Sequence, residues 1–404
     1  MTDQSLATRP SDQPSPTREE IVARVRGLQP LIAANGARGE QDRRVPEETI
    51  SALREAGAFK IGVPARFGGY ETDVRTMLDV SGAVGEADGG TAWAVTLMNV
   101  CAWLTGTMSE QAQEDVWGAN PDARISGVLT PTAEVVKVDG GYRVNGRWYY
   151  NSGSWHSDWA NLGIPIVDEH GEVVDQGSAL IPKSELQLEE TWFVAGMRAS
   201  GSNCLVANDV FVPEHRIFSV PEFTAGNYLS PFKDEAYYRS SAIPVLALVL
   251  AGPQLGMGRR ALQIVREKAA TKPISYTYFK TQSESVGFQL QIAKAAMLID
   301  TAHLHAYRAA DDIDRAAAEG GSLNELARCR VRADTALVLQ NVTRAIDILL
   351  FAHGAGSFAE TNELQRLWRD SAVAARHAVT LPEVNFEIYG KALLGRSDQI
   401  THLI

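Results

Sequence analysis

The chain has 404 residues, of which 45% are hydrophobic and 22% are charged, and its formal net charge at pH 7 is -11. This length exceeds what one ordinary hydrophobic core contains, so we expect two or three packed layers or domains. The acidic balance argues against nucleic acid and against an anionic membrane surface as partners.

The N-terminal residues are polar and rich in proline and serine, which predicts a disordered leader over 1–16. This stretch lacks the apolar core of a signal peptide, and no uninterrupted apolar run reaches the length of a membrane span. The three cysteines are widely separated, which indicates reduced thiols rather than disulfides or a zinc site. We therefore expect a cytoplasmic protein without a membrane partner.

Helical signals dominate the segment 17–124, which is predicted to form an N-terminal helical domain. Apolar residues recur at helical spacing from Ile21 onward, and Pro46 opens a second helix with acidic residues in its first turn. Further helices are predicted over 74–86 and 90–107.

Strand signals dominate the segment 125–219, where apolar and polar residues alternate. The residues Asp139, Gly140 and Gly141 separate two alternating runs, and this arrangement predicts a β-hairpin. We predict a small central domain built on an antiparallel sheet.

Helical patterns return over 241–404, where long alanine-rich stretches carry an apolar stripe. Their length predicts a C-terminal four-helix bundle, and the segment 220–240 before it is predicted to be a connecting loop or lid. The expected fold class is α+β, mainly α. A ligand cleft is expected where the β domain meets the helical parts.

Chemistry-bearing motifs of the common kinds are absent from the sequence. The eight histidines are scattered, and there is no metal-binding, Walker or GxSxG motif, so no metal is expected. The polar residues Asn151 and Ser152 follow a strand and lie between Trp148 and Trp155. A flat redox ring needs such hydrogen-bonding groups beside aromatic planes, but a surface turn with tryptophans shows the same composition.

Two further groups stand out by position. Ser200 and Ser202 follow a glycine in a loop before a strand, which alone indicates only a loop. Asp370 and His377 are seven residues apart on one predicted late helix, so they are expected near one face. A histidine there has a pKa suited to a general base, although most such histidines are structural.

Five segments together resemble the acyl-CoA dehydrogenase family, and the resemblance covers nearly the whole chain after the leader. In chain order they read FKIGVPARFGGYETD, GVLTP, NSGSWHSDW, GMRASGSNCLVANDVFVPEHRI and FAHGAGSFAETNELQRLWRD. The resemblance implies an acyl-CoA dehydrogenase-like fold with an N-terminal helical domain, a central antiparallel β domain and a C-terminal four-helix bundle. Relatives of this fold are usually homotetramers, so a homotetramer is expected.

The carboxylate that a dehydrogenase needs is missing from both places where the family carries it. Arg376, His377 and Ala378 occupy the place after the late helix, and Leu246 occupies the place before the core helix. Without a base for the α-proton, dehydrogenation of an acyl-CoA thioester is disfavoured.

Other segments resemble the flavin-dependent hydroxylases of the same fold, which are oxygenase components acting on 4-hydroxyphenylacetate and steroid-derived phenols. These segments read VWGANPDARISG, DGGYRVNGRW, SGSWHSDW, TWFVAGMRASGSN and LWRDSAVAARH. The resemblance implies reduced FMN or FAD from a separate NAD(P)H:flavin reductase, with O2 as co-substrate. It implies a C4a-hydroperoxyflavin that oxygenates a small, aromatic or polycyclic substrate. The loop KTQSESVGF lacks the arginine that dehydrogenases use for the FAD pyrophosphate, which favours FMN or an exchangeable flavin.

The resemblance also implies the residues of the site. Ser152 faces the flavin N5/C4a edge, and His377 acts as a base or as a partner of the peroxide; these two form the expected catalytic pair. The residues expected to bind flavin are Thr130, Asn151, Ser152, Trp192, Arg198 and Ser202. The residues expected at the substrate are Trp93, Cys101 and His377.

Two departures from the hydroxylases leave the substrate open. Related phenol hydroxylases place a histidine where Cys101 stands, and a thiol is a poor phenolate partner. The stretch from Val379 to Pro382 is apolar where relatives are polar. An N-oxygenase of an amino sugar nucleotide, an acyl-CoA dehydrogenase with another base, and a non-catalytic flavin-binding protein remain as alternatives.

Overall fold

The computed structural model describes residues 15–404, so the predicted leader over 1–16 lies almost entirely outside the described residues. The first half of the described chain begins with helices, as the apolar spacing predicted. They are α1 (Arg18–Gly27), α2 (Gln29–Asp42), α3 (Glu47–Glu55), α4 (Val74–Gly85), α5 (Gly89–Gly106) and α6 (Glu110–Trp117). The helices predicted over 74–86 and 90–107 are therefore confirmed as α4 and α5.

Eight strands follow and form two sheets of four strands each, with the orders β1-β4-β5-β8 and β2-β3-β7-β6. They are β1 (Ile125–Val128), β2 (Ala133–Val138), β3 (Gly141–Asn151), β4 (Trp159–Val167), β5 (Val173–Pro182), β6 (Gln187–Glu189), β7 (Asn203–Pro213) and β8 (Ile217–Ser219). The predicted hairpin is confirmed as β2 and β3, which pair antiparallel.

The expectation of purely antiparallel pairing needs a correction, because β1 and β4 pair in parallel. The hairpin of β2 and β3 between them belongs to the other sheet. The chain therefore leaves the first sheet and re-enters it in the same direction. The remaining strand pairs of the two sheets are antiparallel.

The two sheets pack face to face around an apolar core of their own. Trp148 and Leu205 from one sheet share this core with Leu162 and Ile181 from the other, and all four side chains are fully buried. The Trp148 indole also donates a hydrogen bond to the carbonyl oxygen of Gly163 across the two sheets at 2.7 Å. This contact satisfies the one polar atom of the buried ring.

The segment 220–240, expected as a connecting loop or lid, is more ordered than the sequence indicated. It contains the short helix α7 (Val220–Thr224) and a 3₁₀ turn over Ala236–Arg239. Three of its aromatic rings surround Trp103 of α5 with centroid distances between 6.0 and 6.4 Å. Aromatic packing of this kind anchors the segment in the core.

The C-terminal part forms the predicted bundle, in which α11 packs against α9, α10 and α13. Its helices are α8 (Ala242–Leu248), α9 (Ala251–Ala269), α10 (Val286–Ala318), α11 (Glu325–His353), α12 (Glu363–Ala374) and α13 (Pro382–Leu393). One continuous apolar core joins this bundle to α4 and α5 of the N-terminal helices.

Two helical stretches, Ala242–Ala269 and Glu325–His353, are long and apolar enough to cross a membrane by length and composition. Their most apolar windows are 89% and 61% buried inside the protein. This burial is what core helices of a folded domain show, so the apolar character of both stretches has an internal explanation.

Candidate functional site

Ser152 emerges at the end of β3, where the strand turns toward α5. Tyr150 has a φ of 66°, and the pairing of β3 with β7 shifts register just before Asn151. Gly153 follows with a φ of 75°, and a Cβ built on it would lie 3.1 Å from Met98 of α5. Glycine fits this close approach and this left-handed backbone. Ser152 is consequently buried against α5.

A continuous chain of hydrogen bonds begins at α5 and runs through three serines. Trp93 Nε1 donates to Ser152 Oγ at 3.1 Å. Ser152 Oγ lies 2.7 Å from Ser202 Oγ, which lies 2.7 Å from Ser200 Oγ. Ser200 Oγ then donates to the carbonyl oxygen of Met197 at 2.7 Å. The structure therefore links Trp93, Ser152 and Ser202, three of the expected site residues, and adds Ser200.

The far end of this chain is a tight turn at Met197, whose φ of 57° lies in the left-handed region. Its backbone N–H donates to Asp370 Oδ1 of α12 at 2.5 Å, and its carbonyl oxygen also accepts from Trp192 Nε1 at 2.9 Å. A Cβ on Gly196 would come within 2.2 Å of the Arg369 carbonyl oxygen, so α12 can approach the turn only at a glycine. The turn is thereby fixed to α12.

Two buried carboxyl groups support this anchor. Burial and the neighbouring Asp88 raise the pKa of Asp370, and burial likewise raises the pKa of Asp88. Asp88 caps α5 by accepting the Thr91 N–H at 2.8 Å, and Arg366 Nε lies 3.6 Å from its Oδ1. Burial and the mutual repulsion of the two carboxyls outweigh the attraction of Arg366 and Arg369, which favours a pair that shares a proton near neutral pH.

The expectation that His377 shares a helix with Asp370 is wrong. Helix α12 ends at Ala374, and His377 lies beyond it at the start of a 3₁₀ turn. The chain leaves the helix because tertiary bonds hold this turn: Asn385 of α13 donates to the Val379 carbonyl oxygen at 2.9 Å. Asp370 therefore points to the Met197 turn, while His377 reaches α5.

His377 sits half-buried beside Trp93, with 5.9 Å between the two ring centroids. Its surroundings lower its pKa by desolvation, so the neutral ring is favoured at neutral pH. Its Nδ1 accepts the Val379 N–H at 3.3 Å, which leaves the ring proton on Nε2 in the neutral form. The structure therefore brings the two expected catalytic residues, His377 and Ser152, into contact with the same indole, that of Trp93.

The remaining expected site residues lie in different environments. Arg198 lies in the turn beside Met197, and its guanidinium Nε donates to a backbone carbonyl four residues earlier at 2.7 Å. Asn151 is fully buried, and neither polar atom of its side chain has a partner. Thr130 is exposed. The side chain of Cys101 lies against Gly127 of β1, and burial raises its pKa to about 12.

Within residues 15–404, the hydrogen bonds and ring contacts of the serine chain do not extend to Thr130 or Cys101. Sequence reasoning missed the roles of Ser200, Met197 and Asp370 in that chain. The available signal was the serine spacing two residues apart before β7, together with the Arg-Asp pair near the end of the fifth family segment.

The donor set suits a flat, uncharged ring system such as flavin. It offers hydroxyl groups, a buried amide without partners at Asn151, and indole rings at Trp93 and Trp192. A buried amide without partners costs free energy unless a ligand or water satisfies it, so it marks a place where a polar ligand edge fits. Within the described residues, no group of three or more His, Cys, Asp or Glu side chains is arranged to hold a metal ion.

Comparison with known families assigns the class of this fold. Residues 15–119 match the family described as acyl-CoA dehydrogenase, N-terminal domain, and residues 248–382 match the acyl-CoA dehydrogenase, C-terminal domain. The two matches together cover more than half of the chain.

Individual relatives narrow the class. The oxygenase subunit HsaA of a flavin-dependent monooxygenase from Mycobacterium tuberculosis is 31% identical over 93% of this chain and 96% of its own length. The oxygenase component of p-hydroxyphenylacetate 3-hydroxylase from Acinetobacter baumannii is 28% identical over 93% and 89%. The structure of XiaF from Streptomyces sp. in complex with FADH2 and glycerol has a TM-score of 0.92 at 38% identity, covering 95% of this chain and 97% of XiaF.

The chain therefore belongs to the oxygenase components of two-component flavin-dependent monooxygenases that share the acyl-CoA dehydrogenase fold. These relatives favour flavin-dependent oxygenation over thioester dehydrogenation, amino-sugar N-oxygenation and non-catalytic flavin binding. The missing dehydrogenase carboxylate and the neutral histidine in its place are in accord with the assignment.

Proposed function

We propose that this oxygenase transfers one oxygen atom to a small aromatic or polycyclic molecule held against Trp93 and His377. The observation that carries the proposal is the position of Trp93, which donates to Ser152 with its indole N–H while its ring lies 5.9 Å from the His377 ring. A cofactor edge at Ser152 and a substrate at His377 would share this one wall. The relative from Acinetobacter baumannii is named for hydroxylation of an aromatic compound, p-hydroxyphenylacetate, which supports the same substrate class.

The flavin would be held by uncharged groups and by the Met197 turn. Asn151 and Ser152 supply polar atoms at the end of β3, and Ser202 and Trp192 fix the facing loop. When bound, reduced flavin and O2 supply the oxygen atom that is transferred. XiaF binds FADH2, so reduced FAD is a suitable ligand here beside reduced FMN. Arg198 and Thr130 are proposed as further flavin contacts.

His377 would hold a proton toward the reaction site. Because Nδ1 accepts from Val379, neutral His377 presents an N–H at Nε2. A donor at that position orients an oxygen atom of the substrate or of the oxygen that is transferred. Acting as a base would require the other tautomer and the loss of the Val379 bond, so the geometry supports the donor role more strongly.

The substrate is proposed to be more apolar than a simple phenol. Burial raises the pKa of the Cys101 thiol to about 12, and the neutral S–H is only a weak hydrogen-bond donor, so Cys101 is a poor partner for a phenolate. Trp93 supplies an indole surface, and the stretch after His377 is apolar. These features together favour a fused ring system over a small polar one.

The proposed assembly is a homotetramer that meets a separate flavin reductase in the cytoplasm. Helix α10 exposes four large apolar side chains, Val286, Leu290, Met297 and Leu304, at spacings of one helical face. Exposed apolar stripes of this kind mark protein interfaces. Leu290→Lys with Leu304→Lys should lower the molecular mass measured by light scattering, while Val136→Lys on β2, which replaces an equally exposed residue, should leave it unchanged.

The proposed function is tested by stopped-flow absorbance. Reduced flavin, bound anaerobically, is mixed with oxygenated buffer in the presence and absence of candidate aromatic substrates. We expect reoxidation that is slower than that of free flavin and an oxygenated product in the quenched mixture. Reoxidation at the rate of free flavin, without product from any aromatic compound, would contradict the proposal. If flavin binds at Ser152, Ser152→Ala should reoxidise at a rate closer to that of free flavin and form less product.

A further inference from the structure

The serine chain beside the proposed flavin site contains as many short contacts as it has hydroxyl protons. Three oxygen–oxygen contacts of 2.7 Å join Ser152 to Ser202, Ser202 to Ser200, and Ser200 to the carbonyl oxygen of Met197. Two oxygens approach this closely only with a hydrogen between them. Three contacts therefore need three protons, and the three serines have three.

The carbonyl oxygen at the end of the chain decides the direction of every bond. The Met197 carbonyl cannot donate, so Ser200 must give its proton to it. Ser200 then accepts from Ser202, and Ser202 accepts from Ser152. The proton of Ser152 is therefore directed away from the proposed flavin, into the protein.

The other neighbour of Ser152 reinforces this polarity. Trp93 Nε1 is a donor only, and it occupies one lone pair of the Ser152 oxygen at 3.1 Å. One lone pair remains for a ligand. Ser152 is thus a hydrogen-bond acceptor toward the site, and it cannot donate there without breaking a buried 2.7 Å contact.

The two redox states of flavin differ at the atom concerned. N5 of oxidised flavin has a lone pair and needs a donor, whereas N5 of reduced flavin carries a hydrogen and needs an acceptor. We propose that the chain Ser152–Ser202–Ser200 makes this protein select reduced over oxidised flavin, by fixing Ser152 as an acceptor. This inference rests on the proposed function, in which Ser152 faces the flavin N5 edge.

Selection at this point gives Ser200 and Ser202 a positioning role that acts through Ser152. An oxygenase that receives its flavin from a reductase must capture the reduced form in the presence of the oxidised one. A fixed acceptor penalises the oxidised form by an unmade hydrogen bond, which is worth about tenfold in affinity. Ser200 is buried and lies two contacts away from Ser152, so it sets the preference by hydrogen-bond direction.

The test is a pair of anaerobic titrations that give dissociation constants for oxidised and for reduced flavin. Ser202→Ala removes the acceptor of the Ser152 proton, and Ser200→Ala lets Ser202 turn its proton toward Ser152. Either change frees the Ser152 proton for N5 of oxidised flavin. We expect oxidised flavin to bind about tenfold more tightly in both variants, with little change for reduced flavin.

The matched control is Ser154→Ala, which removes another fully buried serine hydroxyl of the same turn. Ser154 Oγ donates to the Gly201 carbonyl oxygen at 2.8 Å and takes no part in the chain. It should leave the ratio of the two dissociation constants unchanged. A purely structural effect of any variant would weaken both redox states together, so only a change in the ratio supports the inference.

A second measurement is the midpoint potential of the bound flavin. Tighter binding of the reduced form raises this potential above that of free flavin, and each tenfold loss of preference lowers it by about 30 mV. Ser202→Ala and Ser200→Ala should therefore lower the potential, whereas Ser154→Ala should not. This readout does not depend on turnover.

The outcomes separate this inference from the proposed function. If wild-type protein binds both redox states equally, or if the ratio survives Ser202→Ala and Ser200→Ala, the selection mechanism is wrong while the site stands. If Ser152→Ala changes neither dissociation constant, the placement of flavin at Ser152 is wrong, and the inference is overturned with it. The proposal is supported only if both Ser202→Ala and Ser200→Ala lower the ratio of the dissociation constant for oxidised flavin to that for reduced flavin.

Discussion

The two sides of the proposed site are built differently, although both meet at Trp93. On the serine side, each hydroxyl of the chain has a partner at 2.7 Å, and the chain ends on a turn that Asp370 holds. On the histidine side, one hydrogen bond of 3.3 Å orients the ring of His377, which stands in a 3₁₀ turn after a helix end. The serine side is thus fixed by a continuous chain of hydrogen bonds, whereas the side chain of His377 is held by one.

This difference suits the two molecules that the site would bind. A cofactor with fixed shape gains from preorganised contacts, because no side chain has to be ordered on binding. A substrate that enters and leaves in each cycle needs a wall that adjusts. Changes on the serine side should therefore affect flavin binding, and changes on the histidine side should affect product formation.

The largest effect is expected from His377→Ala. Loss of a positioned proton donor at a reaction site lowers rates by about 100-fold or more, whereas reduced flavin should still bind through the serine side. Product formation per reduced flavin, measured in single turnover, is the readout. His170→Ala changes an exposed histidine in a loop and serves as the control. Weaker flavin binding with normal product yield would contradict the division between the two sides.

The next effect is expected from Asp370→Ala, which removes the acceptor of the Met197 N–H. A buried donor left without a partner costs about 1–3 kcal/mol, so the free energy of unfolding should fall by that amount. Both redox states of flavin should bind more weakly, because the whole turn loosens. Urea unfolding and flavin titration measure the two effects.

Asp370→Asn is the matched variant, since its amide oxygen can still accept from Met197. It should retain most of the stability that Asp370→Ala loses. Equal losses in the two variants would show that the charge, and not the hydrogen bond to Met197, holds the turn.

The sequence could predict the features that depend on interactions between residues close together in the chain. The hairpin at Gly140 and the helix α4 depend on turn residues and on apolar spacing within a few residues, and both were predicted. The parallel pairing of β1 with β4 depends on the path of the whole hairpin between them, which no local pattern contains. The domain boundaries drawn from these patterns stay predictions.

The residues of the candidate site show the same difference between local and long-range features. Ser152 and His377 were proposed from segments that resemble a family, and the structure places both of them against Trp93. The bond that anchors the serine chain joins Met197 and Asp370, which are 173 positions apart. A hydrogen bond between such distant segments becomes visible only when α12 is packed against the turn.

A smaller effect is expected from Trp93→Phe, which keeps an aromatic ring beside His377 but removes the N–H that Ser152 accepts. One neutral hydrogen bond is worth about 1 kcal/mol. A double-mutant cycle of Trp93→Phe with Ser152→Ala, read by reduced-flavin binding, should show coupling of that size. The parallel cycle with Trp192→Phe should show less, because Trp192 bonds to Met197 and not to Ser152. Equal coupling in both cycles would remove the special role of Trp93.

The smallest effect is a displacement of the pH profile. Burial lowers the pKa of His377 below its ordinary value of 6.5, and the neutral ring is the form with a bond to Val379. Protonation adds a hydrogen at Nδ1 and breaks the bond that orients the Nε2–H toward the reaction site. Product formation should therefore persist below pH 6.5 and decline as the pH falls through the lowered pKa. The acid limb should vanish in His377→Ala. Cys101→Ser should keep it, because a thiol with a pKa of about 12 does not titrate in this range. An acid limb that persisted without His377 would assign it to another group, and the buried pair of Asp88 and Asp370 would be the first to test.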